Sequence, residues 1–440
     1  MIRDMLGERD FAALKNTLRE MNPVDIAEEL EELSDADAVR VFRMLPKDTA
    51  ADIFVELSSD TQQEIISKFK DAEIGKIVGD MFLDDAVDFI EEMPAGLVSR
   101  VLANISAEQR NLINQFLKYP ENSAGSVMTI EYISFKEHLT VSAAFDKIRR
   151  EGIDSETIYT CYVTDAGRHL LGDVSVRTLL LAEPDAKVGD IMNAAVISAS
   201  TTDDREEIAN EFRKYGLLTM PVVDNEKRLV GIVTFDDVMT IQEEEATEDF
   251  EIMAAMSPSD EPYLKTSVWV LTKNRVLWLL LLMLSATVTG TIISGFEDAL
   301  ATLPVLVAFI PMLMDTGGNA GSQSSTLIIR GMALEEVALA DIFKVFWKEI
   351  RVSVLCGGAL AVVNFGRILL MNHDAMLALT VSIALFATVV LAKSVGCLLP
   401  MGAKKLKLDP AVMASPVITT VVDAGALLLF FVIAKALLGV

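Results

Sequence analysis

The sequence PMLMDTGGNAGSQSSTLI, residues 311–328, is the most informative segment in the C-terminal half of this 440-residue chain. It lies in a run that is otherwise apolar enough to span a membrane, yet it contains Asp315, a Gly-Gly pair, Asn319 and Gln323. A carboxylate at the centre of a bilayer costs about 2.5 to 3.5 kcal/mol, and such residues usually face a cavity, a partner or an ion. The stretch therefore predicts a polar path through a membrane.

The composition divides the chain into an acidic half and an apolar half. Residues 1–265 carry 54 acids and 26 bases, a net charge of −28, whereas residues 266–440 carry 10 acids and 12 bases. Such an acidic half disfavours nucleic acid as a partner and attracts cations. The three cysteines and three histidines are scattered, so their spacing predicts neither a disulfide framework nor a zinc site. The opening sequence MIRDMLGERDFAALK is charged and does not resemble a signal peptide.

Five apolar segments after residue 266 each approach the ~20 residues that cross a bilayer. They are predicted as membrane spans at about 275–295, 301–328, 350–371, 376–400 and 411–438. Lys and Arg precede the first segment and fill the loops after the second and the fourth, whereas acids occupy the opposite loops. The positive-inside rule then predicts a cytoplasmic N-terminal half and a C-terminus outside the cell membrane.

The second and fifth segments are the polar ones. The fifth begins at Asp409 as DPAVMASPVITTVVDAGALLLF and places Asp423 one turn after Thr419. Carboxylates, hydroxyls and backbone carbonyls form the all-oxygen environment that hard cations prefer, and Mg²⁺ keeps most of its water there. Helix packing is the alternative explanation for the Gly and Ser positions. Two polar helices are too few to enclose a wet pore, so we expect a symmetric dimer that pairs two Asp423 carboxylates.

Residues 123–243 contain a repeat of about 60 residues, in which SVMT at 126–129 recurs as DIMN at 190–193. Each copy is predicted to read strand, helix, strand, turn, strand, helix. The repeat resembles a tandem pair of CBS domains, at 123–186 and 187–243. The closing Gly-x-Val-Thr-x-x-Asp pattern of that family is intact from Gly231 to Asp237, whereas Thr178 replaces the aspartate in the first copy.

The CBS resemblance implies that such an aspartate often grips a nucleotide ribose. We therefore assign no nucleotide-binding residues in the CBS pair: the replacement at Thr178 argues against a site in the first copy, a site in the second stays open, and ATP is considered as a regulator. A platform that serves only dimerisation is the alternative.

Residues 1–122 are predicted to form an α-helical superhelix of short hairpins with a looser repeat of about 23 residues. Ser34 with Asp37 and Ser106 with Gln109 have the spacing of helix N-caps. The acidic run LDDAVDFIEE at 83–92 is in this region, and a merely solvated face is its simplest explanation.

The junction between the halves predicts a connecting helix at 244–266, followed by the membrane domain at 267–440. Glu245, Glu248 and Asp249 are spaced i, i+3 and i+4, which places the three carboxylates on one face. Repulsion on that face would displace the helix unless cations neutralise it. An acidic linker is the alternative.

Together these features resemble the MgtE family of magnesium channels over the whole chain, most specifically in PMLMDTGGNAGSQSSTLIIR and DPAVMASPVITTVVDAG. The resemblance implies a multidomain membrane protein, not an enzyme: a helical superhelix, tandem α/β CBS domains, a connecting "plug" helix and a five-helix all-α transmembrane domain, assembled as a homodimer. It implies that Asp423 holds a hydrated Mg²⁺, with Thr419, Asn319 and Asp409 along the pore; Asp315 is an extra acid beside it.

The resemblance also implies that cytoplasmic Mg²⁺ closes the pore by bridging carboxylates, which repel one another when Mg²⁺ falls. The matching residues are Asp52, Asp84 and Asp88 in the helical domain, Glu206 and Asp237 in the CBS pair, and Glu245, Glu248 and Asp249 on the connecting helix. Gly216 and Thr240 stand where further acids are expected, which indicates fewer regulatory ions.

Three other functions fit parts of the pattern. An ion-coupled secondary transporter of divalent cations would also use broken helices and midplane acids. An intramembrane aspartyl protease would need two carboxylates sharing a proton, but here the glycines follow Asp315 instead of preceding it. A soluble enzyme regulated by CBS domains would leave the long membrane half without a purpose.

Overall fold

The structure is a computed structural model that describes residues 1–47, 49–259, 263–264 and 266–439. Short helices, several of them with side-chain caps, occupy the first part of the chain. Ser34 and Ser106 accept hydrogen bonds from the backbone amides of Asp37 and Gln109, so both predicted N-caps are confirmed. The helices are α1 Ile2–Glu8, α2 Phe11–Glu20, α3 Pro23–Glu31, α4 Asp35–Phe42, α5 Ala50–Val55, α6 Ser59–Lys68, α7 Asp71–Gly79, α8 Leu83–Glu92, α9 Ala95–Asn104 and α10 Ala107–Phe116.

Two copies of one α/β motif follow, with the element order that the repeat predicts. The elements are β1 Tyr132–Lys136, α11 Val141–Glu151, β2 Thr157–Thr164, β3 Leu170–Ser175 and α12 Val176–Leu181, then α13 Val188–Ile191, β4 Ala199–Ser200, α14 Arg205–Tyr215, β5 Thr219–Val223, β6 Leu229–Thr234 and α15 Phe235–Met253. Each copy forms a three-stranded sheet in sequence order, in which the first two strands are parallel and the last two antiparallel.

The two copies exchange their leading segments. Thr129, from the start of the first copy, forms two backbone hydrogen bonds with Ile232 of β6 (2.8 and 2.9 Å). Asn193, from the start of the second copy, forms the equivalent pair with Asp173 of β3 (2.8 and 3.0 Å). A Cβ at Gly231 would lie 2.8 Å from the Thr129 carbonyl oxygen, so this position requires glycine.

The apolar core of residues 1–242, which form one compact unit, runs without interruption from the helices into the second copy of the motif. Phe42, Phe54 and Phe89 pack edge to face within the helical part. Phe212 of α14 and Val233 of β6 belong to the same cluster. The helical domain is therefore anchored on the second CBS-like copy by burial of apolar surface.

The connecting helix differs from its prediction at 244–266. It is the C-terminal part of α15, which begins at Phe235 as the closing helix of the second copy and ends at Met253. The helix stops at a turn in which Ala255 adopts a positive φ of 55° and the amide of Met256 bonds back to the carbonyl oxygen of Glu251. Residues 260–262 and 265 of the predicted segment lie outside the described residues.

The second compact unit, residues 243–440, is built from long helices. They are α16 Val268–Gly295, α17 Glu297–Thr302, α18 Ile310–Ala333, α19 Ile342–Asn372, α20 Ala375–Lys405 and α21 Ser415–Leu438, with 3₁₀ turns at Pro304–Phe309, Leu339–Asp341 and Pro410–Met413. Within the described residues, four stretches are long and apolar enough to cross a membrane: Val268–Gly295, Leu339–Asn372, Ala375–Lys405 and Pro410–Leu438.

The second predicted span, 301–328, is displaced in the structure. Pro304 lacks an amide hydrogen, and the residue before a proline avoids helical backbone, so α17 ends at Thr302 and a 3₁₀ turn intervenes. The long helix starts only at Ile310 and continues to Ala333. Its polar sequence keeps α18 out of the set of four apolar spans, so the count of five spans is not confirmed.

Glycines bring α18 into backbone contact with its neighbours. A Cβ on Gly396 of α20 would lie 2.3 Å from the carbonyl oxygen of Gly321, and a Cβ on Gly318 would lie 2.8 Å from the Thr419 methyl. Real Cβ atoms do not approach this closely, so each position requires glycine. The small residues of the predicted polar stretch therefore do serve packing, on the buried face of α18.

Candidate functional site

The opposite face of α18 is polar and exposed. Asp315, Asn319 and Gln323 are spaced four residues apart, so they form one stripe along the helix. All three are exposed within the unit, while Gly317, Gly318 and Gly321 on the other side are buried. The helix is thus amphipathic with its polar face turned away from the rest of its unit, the reverse of what a lipid-facing surface requires.

Asp423 lies beside this stripe on α21. Its side chain is half-buried, and the Asp315 carboxylate acts on it electrostatically. Thr419, one turn earlier and also half-buried, donates its Oγ1–H to the carbonyl oxygen of Pro416 at 2.9 Å. The structure therefore places Asp315 and Asp423 within electrostatic range of each other, on two helices that are in contact where Gly318 approaches Thr419.

Asp409 and Asp249 form a second pair of neighbouring acids. Asp409 is exposed at the start of the 3₁₀ turn before α21, where its Oδ1 accepts from the amide of Ala411 at 2.8 Å. Burial first, and then the carboxylates of Asp409, Glu245 and Glu248, raise the pKa of Asp249 to about 6. Ile252 and Met253 of α15 pack on the same turn through Ala411. Residues predicted separately, as a pore mouth and as a regulatory helix, thus lie together.

The first unit holds a larger group of acids, here called the α8 cluster: Asp84, Asp85 and Asp88 of α8, Glu156 before β2, and Asp236 and Asp237 at the start of α15. Asp84 is its most buried member, with 8% of its surface exposed. Burial raises the pKa of Asp84 well above its ordinary value, and the neighbouring carboxylates of Asp85 and Asp237 raise it further. Its Oδ1 accepts one hydrogen bond, from the Asp85 amide at 3.0 Å.

The pKa values of Asp85, Glu156 and Asp88 in the α8 cluster are raised for the same reason. Burial and the repulsion of Asp237 raise the pKa of Asp85 to about 6, and burial and Asp236 raise that of Glu156 to about 7. The surrounding protein and Glu91 also raise the pKa of Asp88. Asp88 is nevertheless solvent-exposed, so Asp84, Asp85 and Glu156 are the crowded acids that the protein shields from water. Carboxylates crowded in this way are stabilised by a divalent cation or by protons.

The remaining predicted regulatory acids lie elsewhere. Asp52 is exposed on α5, and the α5 acid that acts on Asp85 is Glu56 at the end of that helix. Glu206 is exposed in the first turn of α14. Among the described residues, no three Asp, Glu, His or Cys side chains converge closely enough to hold a metal ion. Direct coordination within the α8 cluster therefore requires its acids to move closer, or water to complete the shell, as Mg²⁺ commonly allows.

Sequence reasoning missed several of these residues. Asp85, Glu156 and Asp236 were not selected, because a pattern within one segment does not show which distant segments meet. A different kind of signal was present at Lys393, a charge in the middle of the apolar run 376–400. The structure buries Lys393 and joins it through Ser324 to Glu349.

The two CBS-like copies differ at the predicted nucleotide position. Asp237 Oδ2 accepts hydrogen bonds from both the amide and the hydroxyl of Thr234, which turns its carboxylate back onto its own helix start. In the first copy, Ser175 and Thr178 replace this arrangement with a hydroxyl pair 2.9 Å apart. The copies therefore share a capping geometry but not a charge.

Three family models match the chain. The MgtE model, described as a divalent cation transporter, matches residues 310–433. The MgtE intracellular N domain matches residues 21–122 and the CBS domain matches residues 188–244. These matches fall on the polar helices, the helical domain and the second α/β copy.

Known proteins resemble the chain along nearly all of its length. The magnesium transporter MgtE of Thermus thermophilus is 36% identical over 99% of this chain and 98% of its own length. The magnesium transporter MgtE of Bacillus subtilis is 34% identical over 97% and 94%. The solved cytosolic domain of the Mg²⁺ channel MgtE in complex with ATP is 34% identical, with a TM-score of 0.52, over 55% of this chain and 98% of that one. The chain belongs to the MgtE family.

Proposed function

We propose that the protein carries Mg²⁺ across a membrane, as a homodimeric channel whose pore is lined by α18 and α21 and is closed by Mg²⁺ on the cytoplasmic side. The named relatives, which are magnesium transporters, support the choice of ion. The observation that carries the channel part is the exposed stripe of Asp315, Asn319 and Gln323 on a helix between apolar spans. In lipid such a stripe is stable only if it faces water, an ion or another protein surface.

The homodimer follows from the same stripe. The polar face of α18 is uncovered within its own unit, and the half-buried Asp423 opens beside it. A second copy related by a two-fold axis would cover both polar faces at once and pair the two Asp423 carboxylates around a single path. A hydrated Mg²⁺ carries two charges, which two carboxylates balance.

Each pore residue has a role in this proposal. Asp423 supplies the charge that selects a hydrated divalent cation. Thr419 contributes its backbone carbonyl, since its hydroxyl is engaged within its own helix. Asn319 and Asp315 line the path on α18, and Asp409 attracts cations to the mouth.

Closure uses the acids of the cytoplasmic half. Protons or Mg²⁺ relieve the repulsion within the α8 cluster and between Asp249 and Asp409. Burial and then neighbouring carboxylates raise the pKa of Asp85 to about 6, that of Glu156 to about 7 and that of Asp249 to about 6. Asp84, Asp88 and Asp237 are the proposed ligands in the cluster, with Asp52 and Glu206 contributing if the domains move. Glu245, Glu248 and Asp249 serve on α15. Binding of Mg²⁺ then shifts the population toward the closed state.

We also propose which side of the membrane each half of the protein faces, and that a nucleotide regulates the channel. The N-terminal half is cytoplasmic and the C-terminus is external, because Lys404, Lys405 and Lys407 flank one end of α20 and Asp374 the other. ATP acts as a regulator at the second CBS copy, where Asp237 supplies the carboxylate. The likeness to a cytosolic domain solved with ATP supports this part.

The test is Mg²⁺ flux through the purified full chain in proteoliposomes. We expect Mg²⁺ to move down its gradient without a coupled ion, and a rise in Mg²⁺ on the side of the soluble half to stop it. Flux that needs a proton or sodium gradient would instead establish the secondary transporter. No Mg²⁺ flux under any gradient would reject both.

A further inference from the structure

A lysine is buried inside the membrane half. Lys393 lies in the middle of α20 with 5% of its surface exposed. Its Nζ donates a hydrogen bond to Ser324 Oγ of α18 at 3.2 Å, and Ser324 Oγ donates to Glu349 Oε2 of α19 at 2.6 Å. We call these three residues the Lys393 triad. It joins three helices through two opposite charges and one hydroxyl.

The packing around the Lys393 triad limits the size of the side chain at its middle residue, Ser324. Gly321 and Gly396, each three residues away from the triad on α18 and α20, are in backbone contact. Ser324 itself is 1% exposed. Only a short side chain fits there, and a hydroxyl can both accept from an ammonium and donate to a carboxylate. An apolar residue of that size would pack equally well, so packing alone does not explain a buried Lys393 and a half-buried Glu349 at this place.

The next residue holds α18 from the other side. Ser325, which is fully buried, donates its Oγ–H to the carbonyl oxygen of Met413 at 3.2 Å, in the turn that leads into α21. Two adjacent hydroxyls therefore fix α18 at one level, one toward α19 and α20, the other toward α21. The polar stripe begins at this level with Gln323, next to Ser324, and extends about 2.5 turns along the same helix through Asn319 to Asp315.

We propose that Lys393 and Glu349 are positioning residues for the cation path: through Ser324 they set the depth and rotation of α18, and so the place of its polar stripe relative to Asp423. The proposal rests on the function proposed above. Neither charge contacts the transported ion in it. Lys393 and Glu349 act as a pair, because loss of either residue would leave the charge of the other without a partner in a site with little water.

The first experiment measures position without transport. A cysteine replaces Asn319 in a Cys356→Ser background, since Cys356 is exposed whereas Cys161 and Cys397 are buried. We expect Lys393→Met to change the rate of thiol labelling at this cysteine about tenfold or more, and Lys393→Arg, which keeps the charge, to return it to within about threefold. Ser394→Ala is the matched control, because the Ser394 hydroxyl bonds only to the Val390 carbonyl of its own helix.

The second experiment is a double-mutant cycle on the full chain in detergent and in proteoliposomes. Lys393→Met and Glu349→Gln are each expected to lower the melting temperature and the preference for Mg²⁺ over monovalent cations. The double variant, which leaves no unpaired charge, is expected to lose less than the two single losses combined. Additive losses in the cycle, or labelling that does not respond to Lys393→Met, would overturn the inference.

The two proposals fail in different ways. If the wild-type protein moves no Mg²⁺, the proposed function fails, while coupling in melting temperature and labelling still establishes the triad as the device that positions α18. If the wild-type protein conducts and both single variants keep its selectivity and labelling rate, the Lys393 triad contributes only to packing. The inference is then wrong, while the proposed function still holds.

Discussion

The contacts that surround α18 and those that surround α8 solve opposite problems. In the membrane half, glycines put α18 in backbone contact with α20 and in contact with the side chains of α21, and the buried Lys393 is joined through Ser324 to the half-buried Glu349. In the soluble half, the acidic face of α8 meets other acids of the CBS-like pair, and like charges raise one another's pKa. The first arrangement is a fixed frame. The second, which we call the acidic joint, is the contact between the acids of α8 and those of the CBS-like pair, and its stability depends on the protons or cations that neutralise these carboxylates.

The most damaging change to the proposed path is the loss of its central charge. Asp423→Asn is expected to reduce Mg²⁺ flux at least about 100-fold, because a contact of unit charges at ~4 Å is worth about 4 kcal/mol even at an effective dielectric of 20. Flux into proteoliposomes measures it. Asp374→Asn is the control, since this acid caps α20 and asparagine keeps the cap. Equal flux in wild type and Asp423→Asn would remove Asp423 from the path.

The fixed frame is tested at Gly396. Alanine there places a methyl group 2.3 Å from the Gly321 carbonyl oxygen, so Gly396→Ala should destabilise the membrane half by about 1 to 3 kcal/mol or more. Thermal unfolding in detergent measures the loss. Gly402→Ala on the same helix is the matched control, because nothing lies within 4 Å of its Cβ. A stable Gly396→Ala protein would show that the contact at α18 adjusts.

The acidic joint between α8 and the CBS-like pair is tested at Asp84. Asp84→Asn removes a buried charge from a group of like charges, so without Mg²⁺ the soluble half should be more stable than wild type, by roughly 1 kcal/mol. Added Mg²⁺ should then raise its melting temperature several degrees less than it raises that of wild type. Asp60→Asn, an exposed acid in the first turn of α6, is the control. A loss of stability without Mg²⁺ would mean that Asp84 makes a favourable contact.

The smallest expected effect is the response to pH. The α8 cluster binds more protons folded than unfolded, because its pKa values are raised, to about 6 for Asp85 and about 7 for Glu156. Stability without divalent ions should therefore fall as pH rises from about 4 to about 7 and level off above that range. Chemical unfolding at several pH values measures it. Saturating Mg²⁺ should flatten the curve, and a curve that rises with pH would contradict the assignment.

Much of this architecture is readable from local patterns, and the rest is not. The caps at Ser34 and Ser106 and the order of strands in the two copies depend on residues near one another in sequence, and they were predicted. Pro304 and Ala255 act through backbone conformation at single residues, and both shifted helix ends that periodicity placed elsewhere. The α8 cluster and the Lys393 triad join residues up to 153 positions apart, as Asp84 and Asp237 are. No spacing rule connects such residues before the fold does.

The crossed pairing of the two CBS-like copies has a consequence for inheritance. Thr129 completes the sheet of the second copy and Asn193 completes that of the first, so neither sequence repeat is a physical module by itself. A cut at the boundary between the repeats would separate β3 of the first copy from Asn193 and β6 of the second copy from Thr129. Each fragment would then have an unpaired edge strand, and Gly172 or Gly231 on that strand would lose the backbone that packs on it. Transfer of the pair between proteins as a whole is therefore expected to preserve both sheets, whereas transfer of one copy alone would leave its sheet incomplete.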